Sequence, residues 1–189
     1  MNRREALRRV AFIMGGTVIG ANLFLEGCTR PATKDVAALF EQESTDLLGD
    51  LAEAILPETS TPGAKAAGVG EFIPVMIRDC YDENDQKAFL KGLDGVNDRA
   101  KKEFDKSFAE LSEEEKLQFV NSFDKEAGEY QKNRKDGEAN HFFTMLKQLT
   151  LTGFFTSEVG MKQALRYVKI PGRYDGNYPY KKGEKAWAI

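Results

Sequence analysis

Two cysteines, one histidine and one tryptophan in 189 residues leave this chain few of the groups that usually carry chemistry. With no CxxC pair and no CxxCH, neither a thiolate metal centre nor a covalently held haem has a sequence frame, and one histidine does not build an imidazole site. No glycine-rich dinucleotide fingerprint follows a strand. Gly15, Gly16 and Gly20 fall in an N-terminal leader, and Gly68-Val69-Gly70 lacks the third glycine. The acidic run Asp82-Glu83-Asn84-Asp85 lacks the spaced ligands, turn glycine and closing glutamate of a calcium loop, and reads as a solvated helix start. Sustained two-residue alternation is missing too, so no half-buried strand is expected. A net charge of −3 with both signs interspersed excludes the basic surface of a nucleic-acid binder.

What is present begins with the leader, residues 1–27. Arg3, Arg4, Arg8 and Arg9 precede an apolar run from Val10 to Leu25 that is shorter than the roughly 20 residues a membrane span needs. This is the pattern of an export signal. Arg3-Arg4 followed by Leu7 resembles a twin-arginine address, read by the exporter of folded proteins, with Ala6 where a larger residue is usual. Leu25-Glu26-Gly27-Cys28 resembles a lipobox, which would make Cys28 the lipidated first residue of the mature chain. The competing reading is an ordinary signal or uncleaved anchor in which Cys28 is incidental. Cleavage before Cys28 would leave 162 residues with a net charge of −5, enough for one domain. Cys80, following the apolar run Phe72 to Ile77, is expected as a small buried hydrophobe.

The mature chain divides into a linker (28–35), a helical domain (36–170) and an extended tail (171–189). Apolar residues recur at helical spacing over 36–56, with Leu47, Leu51 and Ile55 in one row, until Pro57. After a turn at 59–64, Gly68-Val69-Gly70 leads into a helix through Phe72 and Cys80, with Pro74 near its first turn. Phe89, Leu93, Val96, Ala100 and Phe104 mark a helix over 84–104, loosened or kinked at Gly92 and Gly95. Ser112 and Glu115 form a capping box that opens a helix carrying Leu117, Val120, Phe123 and Ala127, with a polar loop at 129–137. Helices over 138–152 and 157–168 follow, separated by a break at 153–157. The expected fold is all-α, five to seven helices in one compact domain.

His141, beside Phe142 and Phe143, is conceivable as a general base, but a core or rim role fits a lone histidine better. No catalytic, metal-ligating or cofactor-binding residue is assigned. Phe154 and Phe155 are adjacent aromatics that cannot both face one core, so one of them is available to a partner. Tyr174, Tyr178, Tyr180 and Trp187 in the tail have the amphipathic bulk of interface anchors, or fold back on their own domain.

Two blocks carry a resemblance. Leu149-Thr150-Leu151-Thr152-Gly153-Phe154-Phe155-Thr156-Ser157-Glu158-Val159-Gly160, continuing through Gln163, Leu165, Tyr167 and Pro171 to Gly176, is similar to the C-terminal signature of the gluconate 2-dehydrogenase subunit 3 family. Ala54-Ile55-Leu56-Pro57 with Pro62 to Val69 resembles that family's N-terminal block. The resemblance implies a small exported accessory subunit without catalytic residues. Its large flavoprotein partner would hold FAD and oxidise a sugar or sugar acid, a c-type cytochrome often completing the set. The expected location is the periplasmic face of the envelope, tethered to the membrane through the lipid on Cys28. The competing classes are a free-standing structural or binding lipoprotein of the envelope, and an independent enzyme built on His141.

Overall fold

The computed structural model describes residues 34–188. The segment 1–33, with Arg3, Arg4 and Cys28, lies outside the described residues. Six α-helices make up most of the described chain: α1 Lys34–Ala37, α2 Gln42–Ile55, α3 Val69–Cys80, α4 Glu83–Phe104, α5 Glu113–Asn133 and α6 Phe142–Thr156. A two-residue parallel strand pair, β1 Arg166–Tyr167 and β2 Trp187–Ala188, joins the two ends of the C-terminal segment.

The helix expected over 36–56 is broken. A 3-10 turn covers Ala38–Phe40, and Glu41 is extended before α2 begins. Val36 and Leu39 are buried, as are Leu48, Leu51 and Ala52. On one straight helix those two groups would point roughly 140° apart at 100° per residue. Bending the chain at Glu41 lets both enter the core, and the buried stripe of α2 runs through Leu48 and Leu51 rather than Leu47 and Ile55. After Pro57 the loop is fastened by Glu53, whose carboxylate accepts the amides of Glu58 and Lys65, each at 2.8 Å.

Gly68, in the left-handed region at φ +70, turns the chain into α3, which starts earlier than expected and holds Pro74 in its second turn. Cys80 corrects the sequence reading: it is exposed. The buried row of α3 stops at Ile77, the rest of the helix through Cys80 lies outside the core, and half-buried Tyr81 packs against the core instead. Helix α4 carries Phe89, Leu93, Val96 and Ala100 inward as spaced, its first turn capped by Asp82 accepting the amide of Asp85 at 2.9 Å. It runs unbroken through Gly92, which is a contact point: a Cβ there would lie 2.2 Å from Cγ of Phe142.

The capping box of α5 forms as expected between Ser112 and Glu115. The helix then continues through Asn133, so the polar run from Glu129 is a solvated last turn rather than a loop. Leu117 is exposed, and Phe119 takes the inward place beside Val120 and Phe123. A second capping box, Ser107 with Glu110, opens the short turn that buries Phe108.

Helix α6 packs against α2, α3, α4 and α5. A helix surrounded in this way must be apolar on nearly all sides, and Phe142, Phe143, Met145, Leu146, Leu149 and Phe154 are all buried. Its start at Phe142 is later than the expected Glu138, because Asn140 is tied outside the helix by Asp85. The expected break at 153–157 narrows to Ser157: the helix runs on through Thr156, and at Gly153 the Phe72 ring lies where a Cβ would be, at 2.7 Å. Phenylalanine rings run through the core in sequence, Phe108 to Phe119 (5.3 Å), Phe119 to Phe123 (5.1 Å) and Phe89 to Phe142 (5.2 Å), with Phe123 stacked on Phe143.

Thr150 of α6 is fully buried and its hydroxyl has no hydrogen-bond partner among the described residues. A buried hydroxyl without a partner costs about 1–3 kcal/mol. Thr150→Val keeps the branched shape and is expected to stabilise the fold by roughly 1–2 kcal/mol, raising Tm by a few degrees. A lowered Tm in calorimetry would mean that the hydroxyl does have a partner.

Candidate functional site

A groove of about 500 Å³ lies between α4, α5 and the residues entering α6. It contains the chain's only histidine, and Gly92 and Gly95 of α4 line it beside the Phe142 ring. Arg99 spans it. Its guanidinium donates to Glu103 (2.9 Å), Glu126 (2.6 Å) and Ser122 (3.2 Å), and lies over the Phe123 ring at 4.2 Å. The hydrogen bond from Arg99 holds the Glu126 carboxyl below its ordinary range, with the charge of Arg99 adding to it against some desolvation. Stability from this pairing is present above the carboxyl's ordinary pKa of 4.5 and is lost as pH falls through the lowered value.

His141 is the N-cap of α6. Its Nδ1 accepts the amide of Phe143 at 3.2 Å, while Nε2 faces Glu126 at 3.7 Å. The ring is nearly enclosed and tilted against Tyr130, whose hydroxyl donates to the carbonyl of Ala139 at 2.8 Å. A base must keep a lone pair free to reach a substrate. Here Nδ1 already serves a backbone amide and the carboxylate of Glu126 already serves Arg99. The arrangement is suited to clamping α4, α5 and the start of α6 together. Among the described residues no group of three or more His, Cys, Asp or Glu side chains gathers to hold a metal ion.

The second candidate is the C-terminal segment. After α6, Ser157 caps a short turn, accepting the amide of Gly160 at 3.0 Å, and the turn widens to a π-helix over Gly160–Ala164. The helix expected to reach Val168 ends there, and Leu165 is extended. The tail then leaves the core and returns. Trp187 and Ala188 pair with Arg166 and Tyr167, and the residues between form a hook whose side chains are exposed from 169 to 187. Arg166 is its latch: the guanidinium lies 3.9 Å over the Trp187 ring, and donates to the Tyr178 hydroxyl (3.0 Å) and to Glu184 (2.5 Å). Tyr178 in turn donates to Glu184 and meets Trp187 edge-on at 5.5 Å.

The six aromatics singled out as partner contacts therefore separate. Phe154 is buried in the core and offers no surface; Phe155, its ring edge-on to Phe154, is 38% exposed. Tyr178 and Trp187 belong to the latch, and Tyr174 and Tyr180 are 95% and 84% exposed. Arg166 and Ile170 were missed by the sequence reading. Counting charge by segment would have drawn attention to them. Residues 158–189 hold seven basic and three acidic side chains, whereas 34–157 hold 15 basic and 25 acidic. Signs that look interspersed over the whole chain are segregated between body and hook.

Among the described residues no helix is long and apolar enough to cross a membrane. A family model described as gluconate 2-dehydrogenase subunit 3 matches residues 42–172, from the first residue of α2 into the start of the hook. No curated protein and no solved structure matches the chain.

Proposed function

The chain belongs to the gluconate 2-dehydrogenase subunit 3 family, and from that premise we propose that it is the non-catalytic accessory subunit of an exported, membrane-associated, flavin-dependent dehydrogenase acting on a sugar or sugar acid. The observation that carries this reading is the extent of the family match, which takes in all five long helices. The geometry of the groove supports it, since its histidine, glutamate and arginine are engaged with one another and with the backbone. On this reading FAD resides on a large partner subunit, a c-type cytochrome on a third where one is present, and this chain contributes binding surface and stability. The leader supports two finer parts of the proposal. Arg3 and Arg4 fit a twin-arginine address, which a small helical domain has little need of by itself and a folded flavin-loaded partner does need. Lipidation at Cys28 would anchor the assembly on the periplasmic side, each buried methylene contributing about 0.8 kcal/mol.

One experiment tests these parts together. An affinity tag is placed between Asp136 and Gly137, in the exposed loop before α6, and the chain is purified from solubilised membranes of cells expressing its neighbours. The expected eluate carries a large flavoprotein, with flavin absorbance bleached by a sugar or sugar acid. An eluate without flavoprotein would overturn the subunit reading. With Arg3→Lys and Arg4→Lys, both proteins are expected to stay inside the cell; normal export of the pair would remove the carrier role alone.

A further inference from the structure

We propose that the hook formed by residues 165–188 is the surface by which this subunit seats on an acidic face of its large partner, Tyr174 and Tyr180 being the inserted anchors and Lys169, Lys181 and Lys182 their charged rim. The inference rests on the subunit reading above and adds to it a location and a chemistry for the contact.

Three features of the hook point the same way. Its charge is positive, six basic residues against two acidic over 165–188, on a body of the opposite sign. Its apolar groups stand in water: Tyr174, Tyr180 and Ile170, within eleven residues of sequence, are 95%, 84% and 77% exposed. Its shape is fixed beforehand, because the latch of Arg166 with Trp187, Tyr178 and Glu184 and the pairing of β1 with β2 hold both ends of the loop. A loop already closed loses less conformational entropy on docking, which is how a small surface reaches useful affinity. The backbone adds a further means of attachment. Arg166 and Val168 donate their amides to β2, so the alternate residue Tyr167 turns its own backbone groups to the open edge, where a partner strand can add.

The occupant follows from what does not cover the hook. Its own body carries a large net negative charge and is covalently adjacent, yet residues 169–187 all remain exposed. Charge alone does not seat the hook, and a second copy offers only that same body. A lipid surface suits it poorly as well. The hook has irregular backbone with three backbone hydrogen bonds inside 169–185, no apolar helix, and Asp175 and Glu184 among its lysines. Backbone groups left without partners are costly against acyl chains, whereas a protein face can satisfy them. An acidic protein surface with pockets for two tyrosines meets every requirement.

The test compares the tagged full chain with the variant Tyr174→Ala, Tyr180→Ala, Lys181→Glu, Lys182→Glu, both coexpressed with the partner. All four side chains are exposed and outside the latch, so circular dichroism and Tm should be unchanged. Co-eluted flavin is expected to fall roughly tenfold or more, since truncating anchor aromatics dominates such losses. Lys181→Arg with Lys182→Arg is expected to retain the flavin, and the wild-type complex to loosen as salt is raised. Equal flavin in wild type and variant would overturn the proposal while leaving the subunit reading intact. So would a variant that keeps its flavin but leaves the membrane fraction, which would assign the hook to lipid, or one that keeps its flavin but loses self-association, which would assign it to a second copy. A wild-type chain that elutes without any flavoprotein removes the subunit reading and this inference with it.

Discussion

Gly70→Val is expected to destabilise the fold by about 3 kcal/mol or more, with most of the chain failing to accumulate in soluble form. Gly70 is buried in the first turn of α3, where a Cβ would stand 2.6 Å from the carbonyl oxygen of Thr45 and 2.9 and 3.0 Å from N and Cα of Gly49. Those are backbone atoms of α2, and neither can swing aside as a side-chain tip would. The two helices meet backbone to backbone at this point, and any added carbon pushes them apart along a contact that also positions Leu48, Leu51, Ile73 and Ile77. Even Gly70→Ala is expected to cost roughly 1–3 kcal/mol. Gly49 supplies the control. It faces Gly70 across the same contact, but its own Cβ direction meets only Cγ of Lys65 at 3.7 Å, ordinary van der Waals distance. Gly49→Ala is therefore expected to be neutral or stabilising, by up to about 1 kcal/mol of helix propensity. Urea unfolding of the two alanine variants checks the asymmetry. Equal effects would mean that α2 and α3 are not in backbone contact.

The same glycines show how far the sequence could be read. Helix α4 was legible almost to the residue because its core row repeats at four, three and four positions and each member is buried. Propensity marks Gly92 as a weak point of its helix and the sequence puts Gly153 in a break, yet both are places where a phenylalanine from another helix lies. Propensity is a property of the segment, and such contacts are a property of the fold. The break at Glu41 escaped for a related reason: Val36 and Leu39 share a helical period with each other but not a phase with Leu48 and Leu51. Periodicity alone does not register a change of phase across one residue. Cys80 was misplaced because its apolar neighbours run on to Ile77, where burial stops although the helix itself continues to Cys80.

For the candidate sites the balance differed. The role of His141 was legible in outline, a lone histidine with no partner motif in sequence, but its use as an N-cap depends on α6 beginning at Phe142. Glu126 and Arg99 lie 27 residues apart on different helices, and no local pattern joins them. The latch was beyond reach for the same reason. Arg166 and Trp187 are brought together by a strand pair of two residues, too short to leave any alternation in the sequence. The segregation of charge, in contrast, was present in the letters throughout and required only that the chain be counted in pieces.

Gln86 was missed as well, and it supports the second large prediction. Its side chain is almost wholly buried at 8% exposure, and Nε2 donates to the carbonyls of Ile77 (3.0 Å), Arg78 (3.1 Å) and Tyr81 (3.1 Å). The final carbonyls of a helix have no partner within it, and Gln86 of α4 supplies one for the end of α3. It fixes the corner between these helices, one residue from Asp85, which holds Asn140 and so the entry to α6. Gln86→Glu keeps the shape and replaces the donor by a carboxylate facing three carbonyl oxygens. Ionised, it is a buried charge without compensation, and the expected loss near pH 7 is about 3–5 kcal/mol. The same repulsion raises the carboxyl's pKa in the folded state above its ordinary value of about 4.3. The native state then binds the proton more tightly than the unfolded state, so the defect is smallest below that ordinary pKa and grows as pH rises through the raised one. Gln86→Met is the comparison, since it removes the donor without adding a charge. Its loss, about 1–3 kcal/mol from unsatisfied carbonyls, is expected to be independent of pH. Urea unfolding of both variants against the wild type at pH 5 and pH 7 separates them. A Gln86→Glu defect that does not grow with pH would show that the carboxylate had turned out to solvent and that Gln86 does not close the end of α3.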